Sequence, residues 1–255
     1  MIAIKGNEMT SVMGIVNVTP DSFSDGGKYC DPKEAVRRVK NMISEGADII
    51  DIGAESTRPG AEPISWEEEW SRLEPVFEQL KDSSVLNSDH SFPISVDTYH
   101  HQTAKLAVAA GASIINCVYV EPAIDMLQIA KDNPQLELVI PVAAWEKYPE
   151  TKEFVSRIYI DPMIGFGTSR DEDLELLRSV PALSRQARVM VGASRKRLVK
   201  KLTGEKVTGK NIGGNLGIAV WAAMNGAAAV RVHDVRETVQ ALRVVETISG
   251  DFHHF

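Results

Sequence analysis

Short apolar runs alternate with amphipathic stretches along almost the whole chain, and this alternation restricts the fold more than any other feature. Eight runs read as strands: Val12–Val18, Asp48–Gly53, Pro93–Asp97, Ser113–Val118, Leu136–Val142, Ile158–Asp161, Val189–Gly192 and Ala229–His233. Between them, apolar residues recur at the spacing of a helix with one buried face over Pro32–Glu45, Trp66–Lys81, His100–Ala110, Pro122–Lys131, Asp171–Leu183, Asn215–Asn225 and Val235–Ile248. Gly46, Gly111, Gly226 and Gly250 stand where helix stops are expected. Strands alternating with helices build parallel α/β sheets, and eight such units fit a (β/α)8 TIM barrel. A doubly wound open sheet is the alternative, because counting strands does not prove closure. One unit is irregular: Ala143–Arg157, AAWEKYPETKEFVSR, has room for a turn or two, so the fifth helix is expected to be short or missing. No linker, repeat or low-complexity segment divides the chain, and residues 1–255 read as one domain.

The 255 residues are 44% apolar and 25% charged, enough to bury a large core. A net charge of -7 argues against a general nucleic-acid binder. Cys30 and Cys117 supply neither a disulfide framework nor metal-ligand spacing. The first ten residues, MIAIKGNEMT, lack the apolar core of a signal peptide, and no apolar run is long enough to span a bilayer. A soluble, cytoplasmic protein without membrane contacts is the expectation.

In a barrel of this type the substrate site lies where the strands end. Those ends carry Asn17, Asp51, Asp97, Asn116, Asp161, Lys196 just beyond strand seven, Arg231 and His233. A single Asp or Asn at a strand end is ordinarily a cap or a turn former. A set alternating amide, carboxylate and cation around one mouth has no such explanation. Asp97, Asn116 and Asp161 offer donors and acceptors suited to the edge of a flat, nitrogen-rich heterocycle. Lys196, Arg231, His233 and Asn17 suit an anion together with a metal. For Ser194–Arg197, SRKR, a solvated basic turn is an equal alternative. The stretch Met13–Gly27, MGIVNVTPDSFSDGG, ends in a loop with a Phe among hydroxyls and carboxylates, more than a connector needs.

Three segments give the chain a family likeness: NVTPDSFSDGG from Asn17, DIGAESTRPG from Asp51, and GASRKR from Gly192 together with RVHDV from Arg231. With SVDT and DPMIGFG between them, the chain resembles the dihydropteroate synthases from about Val12 to about Val235, in the family's order. The resemblance implies a barrel that condenses 6-hydroxymethyl-7,8-dihydropterin diphosphate with p-aminobenzoate, giving dihydropteroate and diphosphate on the path to folate. It implies that Asp97, Asn116, Asp161 and Lys196 hold the pterin, with Asp51, Phe166 and Gly192 also among the substrate-binding positions. Asn17, Arg231 and His233 would hold the diphosphate with Mg2+, Asn17 serving as the metal ligand. Phe23, Thr57, Arg58 and Pro59 would close over the p-aminobenzoate, and the helix following Gly192 would offer N–H groups to its carboxylate, with Arg197 adding charge.

The sequence departs from the family pattern mainly on one wall. Cys117 stands in place of an Asp, Val139–Trp145 lacks the usual Met-His-Met run, Met163 replaces a Gly, Thr168 a Lys and Ala54 a Gly. An active synthase with a remodelled wall is the leading expectation, because the loops and the anion site are retained. A catalytically weak pterin-binding paralogue acting as a subunit or regulator is the alternative, and a pterin-binding methyltransferase domain a more distant one. The helix Asn215–Asn225 is apolar enough to bury Trp221 and Met224 either in a homodimer or on the barrel itself.

Overall fold

The structure is a computed structural model that describes residues 9–19, 31–56, 61–83, 85–86, 91–207 and 209–249. Eight strands, β1 (Ser11–Asn17), β2 (Ile49–Gly53), β3 (Ile94–Asp97), β4 (Ile114–Asn116), β5 (Glu137–Pro141), β6 (Ile158–Asp161), β7 (Arg188–Val191) and β8 (Ala229–Val232), pair in parallel and in chain order. The pairing of β8 with β1, Ser11 opposite Ala229 and Met13 opposite Arg231, closes the barrel and removes the open-sheet alternative.

Helices α1 (Pro32–Ser44), α2 (Trp66–Asp82), α3 (His101–Ala110) and α4 (Ala123–Asp132) follow the first four strands. Their boundaries have local causes. Asp31 caps α1 by accepting from the Lys33 N–H at 2.9 Å, with Pro32 at the first helical position. Ser65 caps α2, whose first turn carries Glu67, Glu68 and Glu69. Gly14 lets the outer layer close tightly on β1: a Cβ there would lie 2.8 Å from Met42 Sδ and 3.0 Å from Val235 Cγ2.

The fifth unit is reduced, as its sequence implies. It consists of α5 (Val142–Lys147) and a 3-10 segment, Pro149–Arg157. Arg157 ties this segment back to the preceding unit, Nη1 donating to the carbonyls of Ala130, Asn133 and Leu136 at 3.0–3.1 Å. The chain continues through α6 (Arg170–Leu183), α7 (Arg197–Thr203), α8 (Ile212–Met224) and α9 (Val235–Ser249). The seven-residue α7 is an element that apolar periodicity did not reveal, being too short to display a repeat.

Strand side chains alternate between faces, so one register fixes what points into the barrel. Met13, Ile49, Ile114, Val139, Tyr159, Met190 and Ala229 form an apolar cluster of their own, separate from the larger core shared with the helices. Two residues further along the same strands come Ile15, Asp51, Asn116, Pro141, Asp161, Gly192 and Arg231. The apolar layer is thus a floor, and the polar strand ends are the next inward layer above it.

Candidate active site

The register aligns the mouth residues. Asn17 pairs with Gly53, Gly53 with Asp97 and Asp97 with Asn116, so one row crosses four strands, while Asp161 sits opposite Pro141. Arg231 reaches across from β8, its Nε donating to Asp51 Oδ2 at 2.6 Å and its Nη2 to Asp97 Oδ2 at 2.7 Å. Asn116 Nδ2 donates to the same Asp51 oxygen at 3.2 Å. Asp51 is fully buried. Its Oδ2 thus anchors both Arg231 and Asn116 within the layer. Asp51 Oδ1 and Asn116 Oδ1 are buried acceptors with no hydrogen-bond partner among the described residues.

Burial controls the charge states. It pushes the Asp97 carboxyl up to about 7, against the attraction of Arg231. Burial also raises Asp161, opposed by Lys196 and by the Met163 N–H, which donates to Asp161 Oδ1 at 2.7 Å. Lys196 is drawn down to about 8 by burial, with Asp161 acting in the other direction. Its ammonium donates to the Ile164 carbonyl at 2.6 Å and lies 4.3 Å from the centre of the Phe166 ring. Burial works against the charge of Arg231, but Asp51 and Asp97 outweigh it and the guanidinium is shifted upward. Gly192 lies between the two halves, an ideal Cβ there coming within 3.9 Å of both Arg231 and Asp161.

Ser194–Arg197 is a held turn, so the solvated-turn alternative falls. Ser194 Oγ is 3.1 Å from His233 Nδ1 and accepts the His233 backbone N–H at 3.3 Å. Arg195 has φ 60, left-handed backbone that residues carrying a Cβ rarely adopt. Its N–H donates to Asn215 Oδ1 at 3.0 Å, and its guanidinium pairs with Asp234 at 2.5 Å. Asn215 Nδ2 in turn donates to Asp234 Oδ2 at 3.3 Å. Arg197 is exposed and donates to the Thr168 carbonyl. The helix expected after Gly192 begins only at Arg197, with Lys196 as its cap.

Phe23, Thr57, Arg58 and Pro59 lie outside the described residues. Beside them in sequence, a brace appears that strand-end reading missed: Glu55 accepts from Tyr99 Oη at 2.7 Å and lies 3.2 Å from His100 Nε2. Beneath it Thr98 donates to the buried Glu69 at 2.7 Å. These residues follow strand ends rather than occupy them, and Glu69 looks like one more acidic residue in a helix start. On the altered wall, Cys117 is buried, its thiol raised to about 12 by burial, so a neutral group replaces the family's carboxylate. Val139 belongs to the barrel floor. Met163, where the family has Gly, keeps the left-handed backbone that a glycine would favour, φ 66.

An apolar floor, an inward polar layer and flanking cations at the C-terminal mouth define a (β/α)8 barrel enzyme for a small polar substrate. The family described as pterin binding enzyme matches residues 13–156 and 154–233. A dihydropteroate synthase of Clostridium beijerinckii is 35% identical over 266 residues, spanning 94% of this chain and 95% of that protein. The Xanthomonas albilineans dihydropteroate synthase solved with 4-aminobenzoic acid superposes with a TM-score of 0.83 at 37% identity, covering 95% of this chain and 94% of that one. A Clostridium difficile dihydropteroate synthase solved in the presence of pteroic acid gives 0.85 at 31% identity, covering 95% and 97%. The chain belongs to the dihydropteroate synthase family of pterin binding enzymes.

The loop after β6 supplies a stability test. Gly165 has φ +80, and a Cβ there would lie 3.0 Å from Lys196 Cδ. Gly165→Ala is expected to lower the thermal midpoint by about 3 °C, the effect of about 1 kcal/mol of left-handed strain in a chain this size. Met163→Gly should leave the midpoint within about 1 °C, because strain relief offsets the added freedom of the unfolded glycine.

Proposed function

We propose that this protein is a dihydropteroate synthase, condensing 6-hydroxymethyl-7,8-dihydropterin diphosphate with p-aminobenzoate and releasing diphosphate. The observation that carries the reading is the inward layer itself: carboxylates and an amide from β3, β4 and β6 face cations from β8 and the turn after β7, above an apolar floor. Asp97, Asp161 and Asn116 grip the amino-pyrimidinone edge, with Asn116 Oδ1 available to a ring N–H. Lys196 and Phe166 complete that side. Arg231 and His233 draw the diphosphate, and Phe23 with Thr57, Arg58 and Pro59 cover the p-aminobenzoate. Arg197 and the turn around Gly192 lie toward its carboxylate.

The C–O bond breaks with its electron pair going to the diphosphate oxygen, leaving on the pterin methylene a cation delocalised over the ring. The Asp97 and Asp161 carboxylates favour that positive ring, while Arg231 and His233 favour charge on the leaving group. The amine nitrogen then forms the C–N bond with its lone pair and passes a proton to the departed diphosphate. Excluding water at this stage protects the cation from capture. Mg2+ fits the anion half as an ion carried in with the diphosphate. Among the described residues no group of three or more His, Cys, Asp or Glu forms a cage, and Asn17 offers one amide oxygen in the same row as Asp97. When bound it supplies charge stabilisation to the departing diphosphate.

Residues 1–255 act in this reading as one cytoplasmic barrel domain; among the described residues no helix is long and apolar enough to cross a membrane. A second copy is the partner suited to α8, where Met224 stands 67% exposed and Trp221 36% exposed. Sedimentation equilibrium reads this directly, and a monomer at all concentrations would dismiss it.

Diphosphate release measured with Mg2+ and the pterin diphosphate, with and without p-aminobenzoate, tests the function. Release coupled to dihydropteroate is the expected result, abolished by chelation and restored by Mg2+. Arg231→Ala should lower kcat/KM by about 100-fold. Saturable pterin binding without turnover would instead identify a pterin-binding subunit, a reading favoured by the altered wall at Cys117. The charge states set the pH profile. Asp97 must lose its proton and Lys196 must keep its own, so kcat/KM should rise as pH approaches about 7 and fall above about 8. A profile flat from about pH 6 to 9 would remove both residues from the pterin site.

A further inference from the structure

Asp173 is a carboxylate that the reaction does not use, yet it is completely buried in the first turn of α6. Burying a carboxylate is costly unless its hydrogen bonds accomplish something. Helix capping is not the reason, because Ser169 and Glu172 already form a reciprocal capping box at this end. Asp173 turns to the loop instead. Its Oδ1 accepts from the Gly165 N–H at 2.7 Å and from the Thr168 hydroxyl. That loop bends through three left-handed residues, Met163, Gly165 and Gly167. Between them it presents the Ile164 carbonyl and the Phe166 ring, the two groups that hold Lys196.

We propose that Asp173 is a positioning residue for Lys196: with Thr168 as its partner, it locks the loop between β6 and α6 in the shape that seats the lysine against the pterin site. The family's usual lysine at position 168 is thereby replaced by a hydroxyl with a defined task. The negative charge of Asp173 also favours the charged Lys196, though less than Asp161 and Asp97 do. The site named for Lys196 rests on the proposed function; the contact between Asp173 and the loop does not.

The test is therefore made without substrate first. Acetic anhydride labelling of the intact protein, followed by peptide mass spectrometry, reads the exposure of the Lys196 amine. Labelling should quicken about fivefold in Thr168→Val, the factor by which one lost hydrogen bond shifts an opening equilibrium, and by more in Asp173→Ala, which loses both bonds to the loop. Asp173→Asn keeps the accepting Oδ1 and should label within about twofold of the natural protein, a rescue that a purely electrostatic role would not give. Thr168→Val serves as the second variant should Asp173→Ala fail to fold. Unchanged Lys196 labelling in Thr168→Val and in any folded Asp173→Ala would overturn the proposal. In turnover, the KM for the pterin diphosphate should rise in Thr168→Val while that for p-aminobenzoate holds. If labelling responds as expected but pterin gives Lys196 no protection, the functional reading fails and the positioning role stands.

Discussion

Arg231 holds the mouth of the barrel together. Its guanidinium starts from β8, the last strand, and ends on carboxylates from β2 and β3, so one side chain spans the closure of the sheet. Removing one member of a buried ion pair costs about 3–5 kcal/mol, because the remaining charges lose their partner in a poorly solvating interior. Here the cation has two partners with unequal surroundings. Asp51 is fully enclosed, whereas Asp97 lies at the rim of the same layer, its carboxyl pushed up to about 7 by burial. Asn116 hangs on Asp51, so the orientation of its amide depends on the same pair.

The loops around this layer store strain that ordinary connectors avoid. Met163 and Arg195 both adopt left-handed backbone, and such residues persist only where neighbours over-determine them. Arg195 is held by Asn215 and Asp234, and Met163 by the carboxylate of Asp161. The two turns face each other across Lys196, whose ammonium joins the second turn to the carbonyl of the first. Pre-organisation of this kind places charge before a substrate arrives, which is how a barrel turns a set of strand ends into a site. The departures on the wall of β4 to β6 are compatible with it: Cys117 is buried and neutral, and Thr168 finds a carboxylate partner.

Much of this was legible in the chain. Eight apolar runs with helical spacing between them correspond to eight observed strands, most shifted by only a residue or two, and Ile158–Asp161 is unshifted. The shortened fifth unit was visible because AAWEKYPETKEFVSR lacks the length for a full helix. The polar strand ends were legible because an Asp or Asn closing an apolar run interrupts a pattern. Asp173, Glu69 and Glu55 were not, since each lies among other acidic or polar residues and breaks no periodicity. Asp234 lies within RVHDV, and its pairing with Arg195 is a contact across 39 positions that no local pattern shows.

Local chemistry in the sequence determined the alternation of elements, the caps and stops, and the residue types at the strand ends, because those depend on neighbours within a few positions. Closure of the sheet, the inward parity of the polar layer and the choice of partners depended on tertiary structure. That Asp51 anchors Arg231 depends on the closed barrel, which brings β2 and β8 to the same mouth. The same holds for charge: an aspartate with a pKa near 7 and a lysine near 8 are ordinary residues in the chain and acquire those values only when water is excluded around them.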